Sequence, residues 1–426
     1  MDIIIIGAGA AGLMAGKLLA EAGLQVTILE ARERIGGRIH TVDNIEYGAE
    51  FVHGKLPLTL ALLKEAGIKK RKIQGRYLQF NQGKWKEGSD FFANVDLIKQ
   101  QLMLLQEDMS IADFLKKHFS KKKYAALRRS LTGYIEGYYA GDIEKCSARA
   151  FQEELESEDE DQYRPANGYG ELMRYLLDCF VKAGGILHVS TVIKTIKWQR
   201  GSVEITGGDN QIFTAKKAII TVPLGIWTAK NDEIGAITYA PALPEKVIAA
   251  GQMGFGAVIK ILLCFKEILT ENKVINKQAD TALNEMLFAL TDEKIKTWWT
   301  QSPVKSPLLT GWISGPSAAE LIDTDEATIL QMALESLSNI LQIEKPFLKE
   351  KLLWHKVQNW TADPFSRGGY SYSTLHTIQA RKILSAPVEQ TLFFAGEALY
   401  DGPKMGTVEA ALESGRKVAN QILNLK

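Results

Sequence analysis

Gly7, Gly9 and Gly12 stand in the spacing G-x-G-x-x-G directly after the run Ile3-Ile4-Ile5-Ile6. Glycine at these positions permits a tight strand-to-helix turn, a close backbone approach to a pyrophosphate and a close helix-sheet contact. The helix that follows turns its unpaired N–H groups towards the phosphates. Glu30 ends the next apolar stretch, 18 residues beyond Gly12, where a carboxylate can accept both hydroxyls of a ribose. NAD and FAD both satisfy this fingerprint. After Glu30 come Ala31, Arg32, Arg34, Gly36, Gly37 and Arg38. Two glycines and an arginine directly behind the ribose-binding strand read as a second backbone approach to the pyrophosphate with a fixed cation beside it. A nicotinamide enzyme has no evident use for that addition, so the sequence favours FAD.

The elements that position these residues are legible from the pattern. The isoleucine run suits a parallel strand buried on both faces. Leu13, Leu18, Leu19 and Ala22 form a helical stripe that Gly23 stops, and residues 26–29 supply the next strand. Residues 95–150 turn helical. The acidic stretch 153–161 reads as a solvated connecting loop, and strands return at 186–189, 203–205 and 218–222. The apolar run 258–265, a helix around 329–341, a strand at 392–395 and an amphipathic helix at 408–423 complete the chain. At 426 residues with 46% apolar content, two domains are expected. The fold class is α/β: a doubly wound, Rossmann-like FAD-binding domain from residues 1–75, 172–248 and 363–426, with an interleaved α+β substrate-binding domain from 76–171 and 249–362.

Composition narrows the function. With 51 basic against 50 acidic residues, no net field advertises a nucleic acid or a membrane, which leaves a small molecule as the expected partner. Cys146, Cys179 and Cys264 lie far apart and cannot all pair, which fits reduced thiols, and the six histidines show no metal-ligand spacing. No window approaches a membrane span, and the chain passes from Asp2 into a strand without a basic leader. The expected compartment is the cytoplasm, and the expected state a monomer or homodimer.

The opening residues 3–38, IIIIGAGAAGLMAGKLLAEAGLQVTILEARERIGGR, resemble the amino-terminal signature of flavin-containing amine oxidases, the family of monoamine oxidases, polyamine oxidases and lysine-specific histone demethylases. Further matches are GAEFVHG at 48–54, NGYGEL at 167–172, TVPLG at 221–225, MGFGAVIKILLCF at 253–265, Trp360, DPFSRGGYSY at 363–372, FAGE at 394–397 and GTVEAALESG at 406–415.

The resemblance implies a role for each matching residue. Gly7, Gly9, Ala11, Gly12, Glu30, Ala31, Arg32, Gly37 and Arg38 would hold the dinucleotide, together with Ala49, Glu50, Phe51 and Val192. Gly396, Glu397, Gly406, Thr407 and Val408 would hold the rest of FAD. Glu397 matches the acid at the ribityl or phosphate region. The last helix would point its positive end at the N1 and O2 edge of the isoalloxazine. Lys260 matches the lysine that holds a water near flavin N5, and a lysine amid so apolar a run is costly unless it serves something; the alternative is a snorkelling side chain. Trp360 and Tyr370 match the aromatics beside the flavin, with Tyr370 one wall of an amine cage; core packing is the plainer reading of Trp360. His53 matches a polyamine-oxidase histidine whose imidazole titrates in a range useful for handling an ammonium; its alternative is a neutral turn histidine.

Two departures separate the chain from monoamine oxidases. Gly369 stands where those enzymes carry the flavin-bound cysteine, so FAD is expected to be non-covalent. Thr407 stands where their second cage tyrosine falls, which shifts the resemblance towards polyamine oxidases. The implied reaction moves a hydride from the amine α-carbon to flavin N5. The imine is then hydrolysed, and dioxygen reoxidises the flavin to give hydrogen peroxide. A di- or polyamine is the expected substrate. Rivals are an aromatic monoamine oxidase, an L-amino-acid oxidase using Arg76 or Arg164, and a non-catalytic interaction protein stabilised by FAD.

Overall fold

The computed structural model describes residues 2–88, 92, 94–157, 161–272, 283–402 and 404–425. The chain forms two compact units. Met1–Arg71, Glu153–Phe255 and Asp363–Lys426 make the first, and Lys72–Gln152 with Gly256–Ala362 make the second. Residues 153–171 and 249–255, grouped by the sequence reading with the other part, cluster with the first unit; residues 72–75 go the opposite way. The physical reason lies in the pairing: Gln162–Pro165 bonds to Val52–His53, and Pro244–Gln252 packs on Thr377–Ser385.

The first unit is built on a five-stranded parallel sheet in the order Ile186–His188, Val26–Leu29, Ile3–Ile6, Lys217–Ile220 and Leu392–Phe394. Helices Ala10–Glu21, Gly170–Lys182 and Val408–Leu423 contribute Leu13, Leu176 and Leu412 to the core on one face, which they share with Ile3 and Ile5 of the sheet. On the other face Ile4, Ile6 and Ile220 join a core with the four-stranded sheet containing Ile193–Gln199 and with helices Pro244–Gln252 and Thr377–Ser385. Burial on both faces is what a continuous isoleucine run demands. Gly415 seats the last helix on the first, since a Cβ there would stand 2.3 Å from Ala11 O. The expected stripe of the first helix is right at Leu13 and Leu19, whereas Ala22 is its exposed C-cap.

In the second unit a seven-stranded sheet runs Leu352–Asn359, Val258–Phe265, Leu308–Ser314, Thr297–Trp299, Met286–Thr291, Arg76–Asn81 and Lys84–Glu87. Ile259, Ile261, Leu263 and Phe265 face a core shared with helix Glu326–Leu341. The period of two turns Lys260 to the opposite face. Helices Val95–Met103, Ile111–Phe119 and Ala125–Gly137 belong to the same unit. The acidic stretch is not a loop throughout: Glu153 to Glu156 lie in the helix Ala148–Ser157, with Leu155 buried. Positions 158–160 fall outside the described residues. Among the described residues, no helix is long and apolar enough to cross a membrane, and no group of three His, Cys, Asp or Glu is placed to hold a metal.

Candidate active site

The glycine turn is shaped as its spacing requires. Gly7 has φ +105°, a conformation that favours glycine, and a Cβ at Gly12 would stand 2.0 Å from Gly7 O. Thr221, from the TVPLG segment, donates its hydroxyl to Ile6 O at 2.7 Å and lies against both glycines. Gly9 bridges Gly36, whose N–H donates to Ala8 O at 2.8 Å. The second glycine pair is thereby brought against the first, with Gly37 Cβ space 3.6 Å from Gly9 Cα.

Helix Ala10–Glu21 begins at Gly9 with no side-chain cap, so its first N–H groups point outward as an anion site. Glu30 is 3% exposed; it accepts from Ala8 N at 2.7 Å and from Arg32 N at 3.0 Å. Val192 lies on the segment beside it, where Thr191 N donates to Glu30 O and Ser190 N to Arg32 O. At Gly396, φ is +153° and the direction a Cβ would take is open for 4 Å. An uncapped helix end, a buried carboxylate one strand away and glycines that leave backbone exposed fit a dinucleotide cofactor.

Arg32 and Arg38 both bond within the protein, because carboxylate and carbonyl acceptors from distant segments lie within their reach. Arg32 Nη2 donates to Asp363 Oδ1 at 2.5 Å and to Ser366 Oγ at 3.0 Å. Arg38 Nη1 donates to Gly369 O at 2.7 Å and to Glu397 Oε1 at 2.8 Å. Glu397, 5% exposed, also accepts from Ser371 N at 3.4 Å and from Ser371 Oγ. In the GAEFVHG segment Ala49 N bonds to Arg38 O, Phe51 O accepts from Tyr169, and Glu50 pairs with Arg164 at 2.8 Å while Arg164 stacks over Phe51. Arg76 pairs with Glu285 and Glu87. Both arginines that a carboxylate substrate would need are therefore already matched with acids.

Tyr370 is brought beside the start of the last helix. A Cβ at Gly406 (φ +82°) would stand 3.4 Å from its ring and 2.8 Å from Ser371 O. Burial and the charge of Glu154 push the Tyr370 hydroxyl pKa up. Thr407 caps helix Val408–Leu423 by accepting from Ala410 N at 3.2 Å, and donates to Lys404 O at 2.6 Å. Burial first, and Lys404 second, lower the pKa of His53 to about 4, with a Gln162 hydrogen bond working the other way. His53 is therefore a neutral imidazole at physiological pH.

Lys260 and Trp360 belong to the second unit. Lys260 is 1% exposed, sits across from Trp312 and Gln358, and places Nζ 5.5 Å from the Trp299 ring centre. Trp360, buried, donates its backbone N–H to Val258 O at 3.0 Å. Sequence reasoning missed Thr221, Asp363, Ser366 and Ser371, although each lay in a quoted segment. It also missed Glu409 in the first turn of the last helix, whose carboxylate accepts from Leu58 N, Thr59 N and Thr59 Oγ1 and so caps helix Pro57–Glu65.

A doubly wound sheet with a glycine-lined dinucleotide cradle defines a nucleotide-dependent oxidoreductase fold, and the known proteins it resembles narrow the class. The family model described as flavin containing amine oxidoreductase matches residues 10–129 and 82–423. The chain belongs to that family; it is a flavin-dependent amine oxidoreductase. Polyamine oxidase 2 of Arabidopsis thaliana is 26% identical over 98% of this chain and 87% of its own length. Lysine-specific histone demethylase 2 of Homo sapiens is also 26% identical over 99% of this chain, which spans 53% of that protein. Among solved structures, wild-type putrescine oxidase bound to putrescine matches with TM-score 0.78 at 17% identity over 99% of both chains. Cyclohexylamine oxidase from Brevibacterium oxydans IH-35A matches with TM-score 0.79 at 18% identity, over 100% of this chain and 99% of its own.

Proposed function

We propose that the protein is an FAD-dependent oxidase of extended di- or polyamines that holds its cofactor without a covalent bond. The observation that carries the substrate class is the setting of Tyr370. One aromatic wall stands beside Gly406, Thr407 follows where a second ring would close a monoamine cage, and the Glu154 carboxylate acts on the tyrosine. An open-sided cage within the field of an anion suits a chain carrying a second ammonium. Polyamine oxidase 2 and the putrescine oxidase structure support the same reading.

The glycine turn and Glu30 would hold FAD, which would supply the acceptor for a hydride equivalent from the carbon next to nitrogen and the two electrons that reduce dioxygen to hydrogen peroxide. The residues of the chain bind and orient. Tyr370 offers the amine a flat aromatic surface. Neutral His53 offers a hydrogen bond without adding a like charge to an ammonium. Lys260 supplies the cation for charge developing on oxygen. Water completes the reaction by hydrolysing the released imine to a carbonyl compound. Gly369 offers no sulfur, so denatured protein releases intact FAD. Anaerobic mixing of the holoenzyme with a panel of amines tests the whole reading. Bleaching by putrescine or spermidine, and FAD of intact mass in the supernatant after heating, are expected. A flavin that no amine bleaches, or that stays on the precipitated chain, contradicts it.

A further inference from the structure

We infer that Arg38, Glu397 and Ser371 form a clamp that sets the position of Tyr370, so that the dinucleotide-binding segment itself fixes the wall presented to the substrate. The clamp grips the backbone on both sides of the tyrosine. On one side, Arg38 Nη1 donates to Gly369 O at 2.7 Å. On the other, Ser371 donates both its N–H and its hydroxyl to Glu397 Oε2. The two grips are joined, because the same Arg38 nitrogen donates to Glu397 Oε1 at 2.8 Å. Arg38 directly follows Gly37, whose neighbour Gly36 bridges Gly9 of the phosphate turn.

The rest of the loop is tethered from the same source. Arg32, two residues after Glu30, holds Asp363 and Ser366. Strand Ser371–Tyr372 pairs with Gly254–Phe255, and Phe255 fills the space that a Cβ at Gly368 would need, 2.3 Å away. A Cβ at Gly406 would stand 3.4 Å from the ring. Charge-assisted bonds among largely buried groups are stiff, and removing one leaves its partner unsatisfied. Tyr370 therefore has its backbone fixed at residues 369 and 371. Ser371 and Glu397 are positioning residues, and Tyr370 is the group they position.

Its consequence for amine recognition rests on the function proposed above. Ser371→Ala removes one bond of the clamp while leaving the arginine, the carboxylate and the ring in place. In holoenzyme carrying 3-fluorotyrosine at position 370, the ¹⁹F resonance is expected to shift or broaden in the Ser371→Ala variant and to recover in Ser371→Thr. In anaerobic titration of the unlabelled enzymes, Ser371→Ala is expected to raise the Kd for the amine roughly tenfold, the scale of one lost charge-assisted bond. The limiting rate of flavin reduction and the Kd for FAD should change less than about threefold. An unshifted fluorine resonance overturns the clamp. So does a Kd for FAD that rises as much as the amine's, or an amine Kd that does not move. A wild-type enzyme that no amine reduces sinks the functional reading instead, and the fluorine signal then decides the clamp by itself.

Discussion

Lys246 and Lys260 are both buried lysines, 2% and 1% exposed, yet the two sites use them differently. Lys246, in the first unit, ends on three main-chain carbonyls: Ile383 O at 2.6 Å, Leu384 O at 3.1 Å and Ala386 O at 2.5 Å. It closes the C-terminus of helix Thr377–Ser385, where the helix dipole favours a cation, and lies 4.2 Å above the Phe394 ring. Lys260, in the second unit, is held between neighbouring strands on a face that carries Trp299 and Trp312. Burial of a lysine is thus no mark of catalysis by itself. The contrast lies in what surrounds the ammonium: a ring of carbonyls in one site, and an aromatic sheet face in a matched family segment in the other.

The largest expected effect comes from Lys260→Met. Flavin reduction or reoxidation should slow by roughly one to three orders of magnitude, with FAD still bound and the melting temperature little changed. Unchanged rates in both half-reactions would make Lys260 a packing residue and erase the contrast. Lys246→Met should do the reverse. Three carbonyls lose their donor, so stability should fall by about 2–4 kcal/mol in a denaturant titration while kcat/KM at low temperature stays within about twofold. A strong loss of kcat in a folded Lys246→Met enzyme would show that the two lysines cannot be separated this way.

His53 sharpens the comparison, because burial keeps this imidazole uncharged. Its pKa is about 4 in the folded chain against 6.5 ordinarily. Between those values the unfolded chain binds a proton that the folded chain does not, so stability drops as pH falls from 6.5 towards 4 and is independent of this group above that window. Melting temperatures of wild type and His53→Asn should converge at pH 7.5, with the wild type losing more by pH 5. Equal losses would mean that His53 is charged in the fold. A smaller effect is expected from Glu154→Gln, which should raise KM for a diamine roughly threefold to tenfold, with the difference shrinking in high salt. An identical KM at all salt concentrations would remove Glu154 from substrate recognition.

The nucleotide half of the fold was legible because its signals are local. Strand, turn, helix and Glu30 lie within 30 residues, and each glycine answers a constraint set by its near neighbours. What stayed hidden depends on pairing across the chain. Arg38 meets Glu397 359 residues away, and Arg32 meets Asp363 331 residues away, so two arginines read as cofactor residues also anchor a distant loop. The charge state of His53 was equally out of reach, since residue type gives the ordinary pKa and only burial beside Lys404 lowers it. Lys246 carried no periodic or motif signal at all; its partners are carbonyls, which every residue supplies. Tyr370 and Thr407 were readable as neighbours only through the family resemblance.

Substrate preference tests the central claim most directly. The ratio of kcat/KM for putrescine, spermidine or spermine to that for phenethylamine should exceed one, and the advantage should narrow as ionic strength rises. If phenethylamine or a tryptophan-like amino acid is preferred tenfold or more, about 1.4 kcal/mol of transition-state discrimination, the open cage beside Glu154 does not select extended amines and the polyamine account is wrong.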